Sequence, residues 1–179
     1  MKFREFSRVL EELEETSSRL EMTDVLVDLL KKFDKKEVKF GIYLMMGGIA
    51  PRYLKIQFNM ADKMVIRAIA KVVGKEAGEV KSEYKVVGDL GEVIKSHKDS
   101  EGDYLTVVDV YRKLKRIAKD GGGGSQDRKV VALAELLSAV DPVGAKFVAR
   151  IVLDKLRLGY STKTVLDALS VMEVGDKSL

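Results

Sequence analysis

The sequence predicts an all-α protein of about eight to ten helices, and three observations carry this prediction. Apolar residues recur at spacings of three and four along most of the chain, which places them on one face of a helix. Only two prolines, Pro51 and Pro142, occur among the 179 residues, so few positions interrupt a helix. No segment shows a clear alternation of apolar and polar residues in the manner of a β-strand.

The N-terminal third is expected to form three helices. The first covers roughly residues 2–20, and its apolar stripe consists of Phe3, Phe6, Leu10 and Leu13. Thr23 is the expected N-cap of the second helix, TDVLVDLLKKF. The segment EVKFGIYLMM is apolar enough for a buried helix that ends at Gly47 and Gly48, and Pro51 marks the turn that follows.

The central part is expected to form four more helices. Asn59 is the expected cap of MADKMVIRAIAKVV, which Gly74 ends. EVKSEYKVV and DLGEVIKSH are two shorter helices separated by Gly88. After a polar loop, Thr106 and Asp109 form a pair that resembles a capping box at the start of VVDVYRKLKRIAK. The apolar residues predicted to be buried in that helix are Val107, Val110, Tyr111, Leu114 and Ile117.

Three further helices follow a run of four glycines. Ser125 or Asp127 is expected to cap RKVVALAELLSAV. The Asp-Pro pair at 141–142 combines a cap with proline at the first helical position, and it opens GAKFVARIVLDKLRLG, which Gly159 closes. Ser161 is the expected cap of the last helix, TKTVLDALSVM.

The composition argues against several classes of chemistry. Cysteine is absent and His97 is the only histidine, so no transition-metal site is expected and His97 is expected at the surface. The carboxylates of ELEE, residues 12–15, have the spacing of an exposed helix face and are expected to be solvated. No Walker-type phosphate loop occurs. No apolar run reaches the length of about 18 residues typical of a membrane span, and the charged N-terminus has no signal core, so a cytoplasmic location away from membranes is expected.

Positive charge is concentrated around the glycine run. The whole chain has a net charge of +4. Residues 112–129 hold seven basic side chains against two acidic ones, Asp120 and Asp127. Such clustering favours an anionic partner, and the alternative is a solvated helix face.

The run itself, Gly121–Gly124 followed by Ser125, has two interpretations. It has the composition of a flexible tether. It also lies at the start of a helix, where unpaired N–H groups and the helix dipole attract phosphate, and glycine carries no side chain to hold a phosphodiester away. The second interpretation predicts contacts to sugar and phosphate, which carry no base code.

Four segments in order resemble the N-terminal DNA-binding domain of ATP-dependent DNA ligases of the archaeal and eukaryotic type. They are GDLGE at 88–92, GGGSQDRKV at 122–130, AKFVARIVLDKLRLG at 145–159 and VLDALS at 165–170. The opening FSRVLEELEETSSRLEMTDVLVDLL resembles the first two helices of that domain. The resemblance implies one helical domain over residues 1–179 that binds nicked duplex DNA through the minor groove without sequence preference.

In that family an adenylation domain and an OB-fold domain follow the DNA-binding domain. The resemblance therefore implies that this chain is a fragment that is not catalytic alone, and no KxDG adenylation motif occurs in it. Full-length relatives seal nicks in replication, repair and recombination, and they use ATP and a divalent metal such as Mg²⁺. No cofactor is expected to bind this domain. The expected partners are nicked double-stranded DNA and the catalytic domains of the same ligase, in an archaeal cell.

The resemblance also implies which residues contact DNA. They belong to the glycine-serine loop with its basic pair, the arginine-glycine of the later helix end, and the GDLG turn: Gly122, Gly124, Ser125, Gln126, Arg128, Lys129, Arg157, Gly159, Gly88 and Gly91. For the GDLG turn, plain helix termination is the alternative to DNA contact. Arg150 also matches a family arginine, although its position inside a helix is compatible with a bracing role. Relatives often have Glu or Ser within the glycine run, so the all-glycine run predicts a more flexible loop before binding. The loop HKDSEGDYLT lacks the Phe-Phe pair of a clamp-binding motif, so no sliding-clamp contact is expected there.

Three other interpretations of the sequence lack the features that they require. A helical-repeat protein-interaction scaffold would need a repeat of roughly 35–45 residues, and no register aligns the helix pairs. An enzyme complete in itself would need a nucleophile with its base, or a metal set, and the sequence offers neither. A transcription factor would need a helix that starts with base-reading side chains, and none is marked.

Overall fold

This computed structural model describes residues 1–102 and 104–178, apart from the side chain of Arg52. These residues form ten α-helices. In chain order they are α1 (Phe3–Glu15), α2 (Arg19–Lys32), α3 (Val38–Met45), α4 (Asp62–Val73), α5 (Ala77–Val87), α6 (Leu90–His97), α7 (Val107–Lys119), α8 (Ser125–Ala139), α9 (Pro142–Val152) and α10 (Thr162–Val174). A short 3-10 turn, Arg52–Leu54, lies between α3 and α4. Within these ranges the only strand-like pairing is an isolated bridge between Lys2 and Thr106. The prediction of an all-α fold is confirmed. Asp103, in the predicted polar loop, lies outside the described residues.

Side-chain caps start several helices where the sequence predicts them. Before α7, the Asp109 N–H donates to the Thr106 hydroxyl at 3.2 Å and the Thr106 N–H donates to the Asp109 carboxylate at 3.0 Å. Before α9, the Asp141 carboxylate accepts from the Gly144 N–H at 3.1 Å. Ser161 caps α10 in the same way. Such caps satisfy N–H groups that have no partner inside the helix.

Two predicted boundaries in the first half are wrong. The long first helix divides, because α1 ends at Glu15 and α2 starts after Ser18, which accepts from the Glu21 N–H at 3.4 Å. Thr23 lies inside α2, and its hydroxyl donates to the Arg19 carbonyl at 2.9 Å instead of capping.

Three further boundaries also differ from the prediction. Asn59 has a φ of 50° and lies before α4, which begins at Asp62. Gly124, with a φ of 72°, holds the cap position of α8, so neither Ser125 nor Asp127 is the cap. α9 ends at Val152, well before Gly159, and Arg157 lies in the loop that follows with a φ of 53°.

The core consists of the apolar faces of these helices. The predicted stripe of α1 is buried, as is the predicted set on α7. α6 packs on α9, α4 on α8, and α10 on α2, while α1 lies against α9. Burial of each Leu or Phe side chain contributes about 1.5–3 kcal/mol. In the part of the chain that the structure covers, no helix is both long and apolar enough to cross a membrane.

Candidate nucleic-acid interface

The glycine run forms a short loop between α7 and α8. Arg128, in the first turn of α8, donates hydrogen bonds to this loop. The Arg128 guanidinium donates to the Asp120 carboxylate, with Nη2 at 2.6 Å from Oδ1 and Nε at 3.1 Å from Oδ2. It also donates to two loop carbonyls, those of Gly123 at 2.8 Å and Gly121 at 3.1 Å. The loop therefore has an internal fastening in the free protein, at a guanidinium that is half exposed to solvent.

The outer side of this loop is open. A Cβ atom built at Gly121, Gly122 or Gly123 has no atom within 4 Å beyond its chain neighbours. Gly122 and Gly124 have φ values of 78° and 72°, a conformation that glycine adopts without steric cost. The loop backbone is therefore accessible to a ligand as bulky as a phosphodiester chain.

The start of α8 has backbone N–H groups directly after this loop. Ser125 donates to the Gly122 carbonyl at 3.2 Å. Within the described residues, the N–H groups of Gln126 and Asp127 donate to no backbone carbonyl outside the helix. Unpaired N–H groups at a helix start, together with the helix dipole, form a favourable place for an anion.

The charges at the loop are paired before any ligand arrives. The hydrogen bond from Arg128 lowers the pKa of the Asp120 carboxyl, and the same bond raises the pKa of the Arg128 guanidinium. At neutral pH both groups are therefore ionised.

A narrow cleft of about 10 Å³ brings two other predicted elements together. It is lined by Tyr84, Gly88, Asp89, Arg150, Lys155 and Arg157. Gly88 ends α5 with a φ of 76°, and Arg157 is exposed in the loop between α9 and α10. The GDLG turn and Arg157 thus line the same cleft, although they are about 70 residues apart in the chain.

The start of α8 and the loop between α9 and α10 are both attached to α4. Lys155 donates to the Asp62 carboxylate at 3.0 Å, and this bond is the main cause of the raised pKa of Lys155. Arg67 donates to the Asp127 carboxylate at 2.7 Å. Five residues of α-helix correspond to about 7.5 Å along its axis, so α4 links the start of α8 to the α9–α10 loop.

The sequence model of the family described as "DNA ligase N terminus" matches residues 2–170. The chain belongs to this family. Among its relatives, a probable DNA ligase of Dictyoglomus turgidum (strain DSM 6724 / Z-1310) is 46% identical over all of this chain and 31% of its own length.

Two other relatives show how widely the similarity extends. A probable DNA ligase of Aquifex aeolicus (strain VF5) is 37% identical over 98% of this chain and 31% of its own length. A DNA ligase of Saccharolobus solfataricus (strain ATCC 35092 / DSM 1617 / JCM 11322 / P2) is 36% identical over 99% of this chain and 32% of its own length. The chain thus spans about a third of the length of the curated relatives it matches, and these come from bacteria as well as archaea.

Lys129, the second member of the family's basic pair, has an internal partner. Its side chain is buried, with a relative exposure of 5%, and its ammonium donates to the Phe58 carbonyl at 2.6 Å. In this arrangement Lys129 anchors α8 to the segment before α4, while Arg128 alone of the pair faces solvent.

Gly91 of the GDLG turn is also internal. A Cβ atom there would lie 2.7 Å from the Lys146 carbonyl oxygen and 3.1 Å from Arg150 Cγ. Glycine at this position lets α6 approach α9 closely. Gly159, by contrast, is exposed, with a φ of 76°.

Arg150 and Lys146 belong to a buried ionic cluster that the sequence does not predict. Arg150 lies 2.9 Å from both Asp89 and Glu14, and Lys146 lies 2.8 Å from Glu14 and 2.7 Å from Glu92. Burial opposes ionisation of Glu14, but hydrogen bonds from Arg150 and Lys146 outweigh it and lower the pKa of this carboxyl. The prediction that the ELEE carboxylates are solvated is therefore wrong for Glu14. The signal in the sequence for this cluster is a pair of charges, Lys146 and Arg150, four residues apart in the apolar segment AKFVARIV.

His97 is partly buried rather than exposed at the surface. Its Nε2 lies 2.5 Å from the Glu83 carboxylate and 3.2 Å from the Lys75 ammonium. The described ranges contain no group of three or more His, Cys, Asp and Glu residues that could hold a metal ion. His97 thus ties α6 to α5 and to the turn after α4.

Proposed function

We propose that this chain binds nicked duplex DNA as the N-terminal domain of an ATP-dependent DNA ligase. The observation that carries the proposal is the glycine loop, where an open backbone, the N–H groups of Gln126 and Asp127, and the exposed guanidinium of Arg128 lie together. Each of these features suits a phosphate group. Membership of the DNA ligase family supports DNA as the source of that phosphate group.

The proposed contact follows the sugar-phosphate backbone along the minor groove. The loop accepts one stretch of backbone, and the exposed Arg157 with Gly159 accepts another. In this proposal one DNA duplex contacts both regions, which α4 links to each other. Contacts of this kind fix position and carry no base code, so the binding is expected to be independent of sequence.

Catalysis is assigned to other domains of the same ligase, which are partners of this chain in the proposal. ATP and a divalent metal such as Mg²⁺ would act there, since these 179 residues contain no KxDG motif. The chain would hold the nick in place while those domains seal it during replication, repair and recombination.

A salt series tests the assignment of the loop. Binding of the parent chain and of Arg128→Ala to a nicked duplex would be measured by fluorescence anisotropy between low and physiological salt. Loss of one phosphate contact should lower the log–log salt slope by about 1 and weaken binding at every salt concentration. An identical affinity and slope in the two proteins would contradict the role of the loop.

Arg19→Ala is the matched control. Arg19 is exposed at the start of α2, so its loss removes the same charge without touching the loop. It should leave the slope unchanged. Equal losses in the two variants would indicate a general effect of net charge and would refute a specific contact at Arg128.

A further inference from the structure

The Asp120 carboxylate occupies the side of the Arg128 guanidinium that a phosphate group would use. Its two oxygens accept from Nε and Nη2, at 3.1 and 2.6 Å. This paired arrangement is the one by which arginine binds phosphate as well as carboxylate. Nη1 points elsewhere, to the Gly123 carbonyl at 2.8 Å.

We propose that Asp120 acts as an internal stand-in for a DNA phosphate, which holds Arg128 in place in the free protein and yields it to DNA on binding. The inference rests on the proposed function. One anion replaces another at Nε and Nη2, while the bonds from Nη1 to the Gly123 carbonyl and from Nη2 to the Gly121 carbonyl are kept. The loop therefore keeps its fastening while the partner of the guanidinium changes.

Exposure of the pair makes the exchange feasible. The Arg128 side chain is 53% exposed and that of Asp120 is 24% exposed, so water and a ligand reach both groups. Exposed ion pairs of this kind are weak. A phosphate held at the same time by the N–H groups of Gln126 and Asp127 has additional donors that the Asp120 carboxylate lacks.

The alternative role for Asp120 is a permanent brace that shapes the loop for binding. The two roles predict opposite signs for Asp120→Asn. A brace that is lost should weaken binding to nicked duplex, whereas a competitor that is lost should strengthen it. For an exposed pair the gain should be about threefold to fivefold.

A double-mutant cycle separates this effect from simple removal of a negative charge. Affinity for nicked duplex would be measured for the parent chain, Asp120→Asn, Arg128→Ala and the double variant. The gain from Asp120→Asn should appear when Arg128 is present and be nearly absent in the Arg128→Ala background. Asp127→Asn is the matched control, because Asp127 pairs with Arg67 instead, so its effect should be the same in both backgrounds.

An NMR measurement follows the exchange directly. The Nε–Hε resonance of Arg128 should differ between the parent chain and Asp120→Asn when both are free, and coincide when both are saturated with nicked duplex. A weaker affinity of Asp120→Asn, an equal gain in both backgrounds, or a parent resonance that does not move on adding DNA would overturn the proposal. If the parent chain binds and Arg128→Ala weakens it, those outcomes leave the proposed DNA-binding function intact; absent binding by the parent chain would overturn both.

Discussion

Two helix glycines show how the surroundings of a single residue decide its importance. Gly91 in α6 is buried against α9, where an added Cβ would meet the Lys146 carbonyl oxygen at 2.7 Å. Gly78 in α5 is exposed and has no atom within 4 Å of its Cβ position. The first glycine is required by helix packing, whereas the second only makes the unfolded chain more flexible.

Alanine at these two positions should therefore have opposite effects on stability. Gly91→Ala should lower the free energy of unfolding by about 1–3 kcal/mol, because α6 and α9 must separate slightly. Gly78→Ala should raise it by about 0.4–1 kcal/mol. Urea unfolding followed by circular dichroism measures both, and an unchanged midpoint for Gly91→Ala would contradict the close packing of α6 on α9.

Lys129 offers a second prediction for one residue, because its charge is bound to the Phe58 carbonyl. Lys129→Met keeps the apolar stem and removes the donor, so the free energy of unfolding should fall by about 1–3 kcal/mol. The salt slope for nicked duplex should stay that of the parent, measured at a temperature where both proteins are folded. Lys81→Met, at an exposed position of α5, is the control and should alter neither quantity. A slope reduced by about 1 in Lys129→Met would show that this lysine leaves Phe58 and contacts a phosphate.

At the scale of elements, the glycine loop needs glycine for two different reasons. One position needs a positive φ, and another leaves space for a ligand. Gly124 must adopt a φ of 72° to start α8, and its Cβ position lies 3.2 Å from Arg128 Nη1. Gly123 has neither a positive φ nor a neighbour within 4 Å. The backbone conformation of the loop requires glycine at 124. At 123, glycine is required only if a ligand approaches closely.

Alanine substitution separates the two demands. Gly123→Ala should change the free energy of unfolding by less than about 0.5 kcal/mol, yet weaken binding to nicked duplex several-fold, because its methyl group holds the phosphodiester away. Gly124→Ala should cost about 1–2 kcal/mol of stability as well. Gly175→Ala is the control, since Gly175 ends α10 with a φ of 85° and open space around it. It should cost as much stability as Gly124→Ala and leave binding unchanged. Parent-like affinity in Gly123→Ala would show that DNA does not approach the loop closely.

At the scale of the whole molecule, the buried ionic cluster joins distant parts of the chain. Arg150 in α9 and Glu14 in α1 are 136 residues apart in sequence and 2.9 Å apart in space. Burial opposes the ionised form of Glu11 too, but its bonds to Lys95 and Lys146 lower its pKa. Carboxyls with lowered pKa values stabilise the fold at pH values above their unfolded pKa, 4.5 for Glu, and this contribution is lost as pH falls.

Acid should therefore destabilise the protein mainly below about pH 4.5, through the cluster. Glu14→Gln should cost about 1.5–3 kcal/mol at pH 7 and lose less further stability than the parent as the pH falls towards 3. Burial raises the pKa of Asp141, which acts in the opposite sense and makes the decline less steep. Thermal unfolding from pH 7 to 3 measures these profiles. Parallel profiles for the parent and Glu14→Gln would contradict the role of Glu14.

Features that depend on near neighbours could be predicted from the sequence. The capping pair Thr106 and Asp109, the cap at Asp141, and the buried stripes of α1 and α7 all follow from residues three or four positions apart. The family motifs are equally local, so the ligase resemblance is visible in the sequence alone. The predicted caps Thr23 and Asn59 are wrong, because capping depends on a backbone conformation that packing selects.

Which charged residues and glycines face inward depends on tertiary packing. Lys129 and Arg128 are neighbours in sequence, yet one binds a carbonyl 71 residues away and the other stays at the surface beside Asp120. Gly91 fits a DNA-contact motif as well as Gly88 does, until α9 is seen to cover it. The residues that contact Lys129 and Gly91 lie far along the chain from them. A local sequence pattern cannot predict which distant residues folding brings within a few ångströms.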